Sequence, residues 1–152
     1  AMHKCIDFLN MTITYDQRVP YEMIIGQAVL ETGWGKSRFA KKANNLFGIR
    51  TFSSEVSHLL PEGIEDWPGW GVRKFKTKCS SVREYVRLLN EHPAYEDFRK
   101  LRKVMLDKNQ SLDAIRLIKT LDKFSETQDY DKRTTRMILK VREMEKNLLT
   151  KD

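Results

Sequence analysis

The sequence predicts a single, mainly α-helical domain (α+β) with one small, irregular β-lobe. The chain has 152 residues, of which 40% are hydrophobic and 32% charged, which suits one soluble domain with its own core. Helical apolar spacing dominates from Pro20 to Asn45 and again after about Thr77. It is lost from Leu46 to about Thr77, a stretch that holds two of the four prolines and four of the seven glycines. We expect residues 1–152 to form one domain, in which Ala1 and Met2 are typical of a cloning scar.

The first strong helix signal runs from Pro20 to Gly33. Proline suits a first helical turn, and "PYEMIIGQAVLET" has almost no polar face, so this helix is predicted to be central and buried on most sides. Ser37 is predicted to cap a second, short helix that ends at Asn44 and Asn45. The irregular stretch that follows is predicted to contain a small hairpin around Val72 and to serve function, since it exceeds an ordinary loop.

Helical signals return after this stretch. Ser81 and Glu84 have the spacing of a capping box, Pro93 is predicted to open the next helix, and Ser111 to cap a third. The last helix should pack one stripe of side chains against a partner. That stripe consists of Tyr130, Thr134, Met137, Val141, Met144 and Leu148.

Charge and cysteine content limit the classes of function. The net charge of +7 favours binding to polyanions. The basic residues are scattered among acids, however, as in "RKLRKVMLDKNQ", which is typical of a solvated surface. The sequence also has no nucleic-acid reader motif, so we do not expect nucleic-acid binding. Cys5 and Cys79 are expected to be free thiols, with a bridge between them as the alternative. The three histidines lack ligand spacing, so we predict no metal and no cofactor. No apolar run approaches the roughly 18 residues that span a bilayer, so we predict no membrane span. For the oligomeric state we expect a monomer.

The stretch "QAVLETGWGKSRFA" places one acid, Glu31, at the end of the buried helix, just before a Gly-Trp-Gly turn. Helix C-terminal carbonyls and apolar neighbours both disfavour a carboxylate, so we expect its pKa to be raised. A carboxyl group held protonated in this way suits general acid catalysis of glycosidic cleavage. The alternative is an exposed glutamate that only marks the helix end.

The longer stretch "QAVLETGWGKSRFAKKANNLFGIR" resembles the signature of bacterial peptidoglycan N-acetylglucosaminidases, AxxESxWGxS followed by NNLFGI, the mannosyl-glycoprotein endo-β-N-acetylglucosaminidase-like domains. "SVREYVRLLNEHPAYEDFRKLR" and "FSETQDYDKRTTRMI" resemble later segments of the Bax-like branch, so the similarity covers roughly residues 20–140. The resemblance implies a lysozyme-like fold with a cleft between the helical body and the β-lobe. It also implies hydrolysis of the β-1,4 bond after N-acetylglucosamine in peptidoglycan, in the periplasm or outside the cell, with Glu31 as the catalytic acid.

The family places a second acidic residue in the β-lobe. Glu65, beside Trp67, is our first choice, ahead of Glu62 and Asp66; a solvated acidic turn is the alternative. The substrate's own acetamido group could also replace a second carboxylate. Two departures from the pattern stand out: Gly71 where the Bax-like branch carries a glutamate, and Phe124 where relatives carry tyrosine.

Several further residues are candidates for sugar contacts. Tryptophans in the Pro/Gly loop offer flat faces for sugar rings, and the resemblance adds residues of the second motif and two tyrosines, although Phe47 could equally be core and Asn45 could bond backbone. The substrate-binding candidates are Asn45, Phe47, Trp67, Trp70, Tyr95 and Tyr130. A muramidase or lytic transglycosylase on the same fold, or a non-catalytic wall-binding domain, are the competing functions.

Overall fold

The computed structural model describes residues 2–121 and 129–150. Over these residues the chain is mainly helical, with one small antiparallel sheet, which confirms the predicted fold class. No helix in the described part of the chain is long and apolar enough to cross a membrane. The α-helices are α1 (Met2–Asn10), α2 (Tyr21–Thr32), α3 (Arg38–Ala43), α4 (Lys78–Glu91), α5 (Glu96–Asp107), α6 (Ala114–Ile118) and α7 (Tyr130–Thr150).

Helix α2 is the centre of the body, as predicted. Pro20 is its N-cap, and it ends at Gly33, whose φ of 57° is the left-handed conformation that glycine adopts without strain. Its most extensive packing is against α7. Gly26 permits this close approach, because a Cβ added there would lie 3.0 Å from Cγ1 of the fully buried Ile138.

Helix α3 begins and ends as the sequence predicts. The Ser37 side chain accepts a hydrogen bond from the Ala40 amide at 3.2 Å, and Asn44 ends the helix in the left-handed conformation. The Asn44 side chain then donates to the carbonyls of Phe75 and Lys76, each at 3.1 Å. The short helix is thereby joined to the segment that leads from the β-lobe into α4.

The β-lobe contains three strands where the sequence predicted a simple hairpin. These are β1 (Arg50–Thr51), β2 (His58–Leu59) and β3 (Gly71–Arg73), in the order β1-β3-β2 with both pairs antiparallel. Arg50 pairs with Val72, and His58 pairs with Arg73. Strands of two or three residues carry too little periodicity for a sequence pattern to locate them.

Two predicted helix caps are wrong. Ser81 lies buried inside α4, where its hydroxyl donates to the Lys78 carbonyl, and Thr77 is the N-cap that accepts from the Ser80 amide. Asp113, not Ser111, caps α6. In both cases the cap is a polar residue close in sequence to the predicted one. The sequence also missed α1 and the short 3₁₀ turn Tyr15–Gln17.

The predicted stripe of α7 is correct over its first half. Tyr130, Thr134 and Val141 are buried, but Ile138 replaces Met137 as the fully buried residue between them. Met144 is 47% exposed, so the inward-facing stripe ends before it. The Leu148 side chain lies outside the described part of the chain.

Cys5 and Cys79 form a disulfide, so the expectation of free thiols is wrong. The bridge joins α1 to the first turn of α4 across 74 residues. This contact could not be read from the sequence, because only the packing of α1 against α4 brings the two thiols together.

The disulfide should contribute strongly to stability. In the chain-entropy model, a closed loop of this length is worth about 4 kcal/mol, so the Cys5→Ala/Cys79→Ala variant should lose that amount of unfolding free energy. Denaturant unfolding with and without reductant measures it. Reductant should destabilise the wild-type protein and leave the double variant unchanged; a wild type indifferent to reductant would refute the bridge.

Candidate active site

The end of α2 is built to hold Glu31 at the boundary between core and solvent. The Thr32 hydroxyl donates to the Ala28 carbonyl at 2.6 Å and accepts from the Gly35 amide at 2.8 Å, which closes the turn after the helix. Trp34 takes a positive φ of 64° in this turn and is 46% exposed. Glu31, one residue before the helix end, is left half-buried.

A chain of directed hydrogen bonds from three helices ends on Glu31. The Tyr130 hydroxyl of α7 donates to Glu31 Oε1 at 2.8 Å. Gln27 Nε2 of α2 donates to that hydroxyl at 2.7 Å, and the Tyr85 hydroxyl of α4 donates to Gln27 Oε1. Since an amide nitrogen cannot accept, Gln27 leaves the Tyr130 proton to point toward the carboxyl group. One oxygen of Glu31 is therefore fixed by buried groups.

Burial and hydrogen bonding act in opposite directions on Glu31. Burial, the larger effect, raises the pKa of the carboxyl group, whereas the Tyr130 hydrogen bond and the charge of Arg133 lower it. The net pKa lies above the ordinary value. The carboxyl group thus keeps its proton to higher pH than an exposed glutamate, which is the property required of a general acid.

The second motif anchors the β-lobe and does not line a cleft with its side chains. Asn45 is fully buried and donates to the carbonyls of Ile49 and Arg73, both at 2.9 Å. Its Oδ1 accepts from the amides of Phe47 and Ile49. Phe47 is 2% exposed and stacks on the Tyr85 ring at 4.2 Å. We therefore do not carry Asn45 and Phe47 forward as sugar contacts.

The two lobe tryptophans are partly exposed and supported from one side. The His58 ring meets the Trp67 ring edge-on at 4.8 Å, and the Arg50 guanidinium lies 4.0 Å from the centre of the Trp70 ring. Such support fixes ring orientation and leaves aromatic surface for a ligand. Both tryptophans remain candidates for stacking on sugar.

The lobe carboxylates Glu62, Glu65 and Asp66 are all exposed in the connection between β2 and β3. The position of Gly71 is tight for the glutamate of the Bax-like pattern. A Cβ there would lie 3.0 Å from both the Leu59 carbonyl oxygen and the His58 ring. A side chain at this position would therefore displace β2 from β3 by a few tenths of an ångström.

Of the two tyrosines predicted to bind substrate, Tyr130 contacts the Glu31 carboxyl group, and Tyr95 lies near Tyr130. Burial raises the pKa of both phenols, and the Tyr130 phenol interacts electrostatically with Tyr95 and Glu31. Sequence reasoning missed Gln27 and Tyr85. Gln27 could have been found, since it is a polar residue one turn before Glu31 on an otherwise apolar helix. Phe124 lies outside the described residues.

Residues 11–143 match the family model of glucosaminidases, described as mannosyl-glycoprotein endo-beta-N-acetylglucosaminidase. The chain belongs to this glucosaminidase family. Protein bax of Escherichia coli (strain K12) is 34% identical over 107 residues, which are 70% of this chain and 37% of that protein. Peptidoglycan hydrolase FlgJ of Salmonella typhimurium is 26% identical over 88 residues, 51% of this chain and 28% of FlgJ.

The glucosaminidase chain thus spans about a third of the length of these curated relatives. The fold also matches a solved structure, the C-terminally truncated glycoside hydrolase domain from Salmonella typhimurium FlgJ. The alignment covers 91% of each chain, with a TM-score of 0.57 and 19% sequence identity. The two chains therefore share a fold. These matches confirm the resemblance drawn from the motifs.

The hydrogen-bond chain makes a prediction for the pKa of Glu31. The Tyr130→Phe substitution removes a donor that favours the carboxylate, so the pKa of Glu31 should rise further. The buried Gln27 donor also loses its acceptor, which should cost about 1–3 kcal/mol of stability. NMR titration of the glutamate carboxyl carbons measures the first effect and denaturant unfolding the second.

The matched control for this titration is Glu84. Its pKa is lowered by hydrogen bonds from Arg87 and by the charges of Arg87 and Arg73, which Tyr130→Phe leaves in place. Only the Glu31 titration should move. A Glu31 pKa that stays constant or falls in the variant would contradict the role assigned to Tyr130.

Proposed function

We propose that this glucosaminidase-family chain is a glycoside hydrolase that cleaves the β-1,4 bond after N-acetylglucosamine in peptidoglycan. The observation that carries the proposal is the half-buried Glu31 carboxyl group, with a raised pKa and one oxygen bound by Tyr130. In this mechanism Glu31 Oε2 carries the proton and delivers it to the leaving glycosidic oxygen. Family membership and the name of the relative FlgJ support the substrate class, and hence a site of action in the cell envelope or outside the cell.

The helical body supplies the rigidity that proton transfer needs. Proton delivery requires the acid to lie within hydrogen-bond reach of the glycosidic oxygen, and a freely rotating carboxyl group would meet that geometry only part of the time. Tyr130 fixes one oxygen by a bond that involves neither the other oxygen nor the substrate. Trp67 and Trp70 of the lobe are proposed to stack on sugar rings, and Tyr95 to contact substrate beside Glu31.

The Glu31→Gln substitution is the decisive test. The amide that it introduces cannot donate a proton to a leaving alcohol with the strength of a carboxylic acid, so turnover of insoluble peptidoglycan should fall by about 10²–10⁴-fold or more. The fold should persist. Burial disfavours the ionised glutamate, so the stability contributed by Glu31 declines as pH rises through its raised pKa, and a neutral side chain avoids that loss.

Mass spectrometry of the digested wall identifies the bond that is cut. Reducing-end N-acetylglucosamine supports the proposal, whereas reducing or anhydro N-acetylmuramic acid would assign a muramidase or lytic transglycosylase. Wild-type protein that binds wall without releasing any fragment would be a non-catalytic binding domain. A Glu31→Gln protein that still digests wall would remove Glu31 from the mechanism.

For the second catalytic group we propose Glu65, which lies on the exposed lobe connection two residues before Trp67. Glu65→Gln should lower the rate by about 10²-fold or more if this carboxylate stabilises the transition state or activates water. Glu62→Gln and Asp66→Asn are matched controls in the same connection and should retain activity. Full activity of Glu65→Gln would instead favour attack by the substrate's own acetamido group.

A further inference from the structure

Two segments of the chain carry a concentrated positive charge. Residues 32–54 and 71–83 hold ten Lys and Arg residues and no Asp or Glu. The first segment begins directly after Glu31, and the second contains strand β3 and the start of α4. The prediction that basic residues are scattered among acids holds for α5 and is wrong for these two segments.

The fold brings the two basic segments together at Asn44. Its side chain donates to the Lys76 carbonyl at 3.1 Å, and Lys78 Nζ donates to Asn44 Oδ1 at 3.5 Å. The Phe75 amide donates to the Ala43 carbonyl at 2.8 Å, so the end of α3 is joined to the segment before α4. We call the exposed group formed here the lysine patch. It consists of Lys41, Lys42, Lys76 and Lys78.

Three of the four arginines in the same segments are engaged by the protein itself. Arg38 donates to the Leu60 carbonyl at 3.0 Å, Arg50 lies on Trp70, and Arg73 is 3.3 Å from the Glu84 carboxylate. By contrast, no carboxylate of the described residues lies within ion-pair distance of the four patch lysines. The patch is therefore a group of four exposed ammonium groups without a carboxylate partner among the described residues.

The lysine patch adjoins the end of α2 that carries Glu31. Lys78 lines a cavity of about 280 Å³ together with Val29, Thr32 and Trp34, which precede and follow Glu31 in the chain, whereas Glu31 itself lies outside the lining. A ligand on the patch can thus belong to the same polymer as a sugar at the candidate active site. This continuity selects among anionic ligands, because it favours a charge borne by the glycan strand itself.

We propose that the lysine patch binds the carboxylates of the short peptides attached to the glycan strand. The inference rests on the proposed function, since it assigns the surface that holds the same substrate beside the cut bond. Each lysine ammonium group pairs with an anion as a separate point charge, so four such groups can meet single carboxylates spread along a flexible peptide.

Binding to wall measured without catalysis tests the proposal. In the Glu31→Gln background, replacing Lys41, Lys42, Lys76 and Lys78 together by glutamine should weaken binding to insoluble peptidoglycan by about tenfold or more at low salt. The difference should shrink as salt is raised, because exposed charges are screened. The control variant loses the same number of charges elsewhere on the chain, in α5 and after it. Glutamine replaces Lys100, Lys103, Lys108 and Lys119 in this variant, which should bind wall as tightly as the parent.

Three wall preparations identify the ligand. Amidation of the peptide carboxylates, or removal of the peptides, should abolish the difference between the patch variant and the parent. Removal of phosphodiester polymers should leave it unchanged. A difference that follows the phosphodiester polymers, or a control variant that weakens as much as the patch variant, would overturn the proposal.

Catalysis on peptide-free glycan separates this inference from the proposed function. With Glu31 intact, the patch variant should cleave peptide-free strands at the wild-type rate and intact wall more slowly. A loss on both substrates would show that the lysines act on folding or on the chemistry and would refute the patch as a peptide site. If the wild type cleaves neither substrate, the proposed function fails, and the binding result still decides whether the patch recognises carboxylates.

Discussion

The hydrogen bond from Tyr130 to Glu31 is the contact around which the helical body is arranged. It requires α7 to lie close against α2, which Gly26 permits beside Ile138. It also requires a buried donor behind the phenol, and Gln27 provides it. Gln27 in turn needs a partner for its carbonyl oxygen, because an unpaired buried amide is costly, and Tyr85 of α4 supplies the proton. Side chains from three helices are thus linked by hydrogen bonds to one carboxyl group.

This arrangement explains how a buried acid is both tolerated and useful. Full burial without a donor would raise the pKa of Glu31 at a large cost in stability, whereas full exposure would leave an ordinary carboxylate at neutral pH. Half-burial with a hydrogen bond from Tyr130 gives an intermediate state, in which the charged form stays accessible and the proton is kept to higher pH than in an exposed glutamate. Under the proposed mechanism, stability is given up at this position in exchange for acid chemistry.

The sequence predicted the parts of the structure that depend on local rules. Helix α2 begins after Pro20 and ends at Gly33, and α3 begins after Ser37 and ends at Asn44, as the conformational preferences of these residues require. Glu31 stood out because it is an acid at the end of a largely apolar helix. Contacts between distant segments could not be predicted: the Gln27–Tyr130 hydrogen bond spans 103 residues, and the disulfide spans 74. Between these cases lie Ser81 and Ser111, where several capping residues stand close together and tertiary packing selects one. The two lysine-containing segments were visible in the sequence, but that they lie side by side depends on the contacts of Asn44.

The second motif, residues 44–49, acts on the site through the structure that it holds in place and not by side chains that reach a ligand. The side-chain amide of Asn45 is typical of sugar-binding residues, yet it donates to the backbone carbonyls of Ile49 and Arg73. Ile49 directly precedes β1, and Arg73 is the last residue of β3. Phe47 stacks on Tyr85, whose hydroxyl begins the hydrogen-bond chain to Glu31. The motif therefore connects the lobe to the same buried network that orients the acid. A substitution at Asn45 would alter the position of Trp67 and Trp70 relative to Glu31 without touching substrate, because the lobe is held to the body at this point.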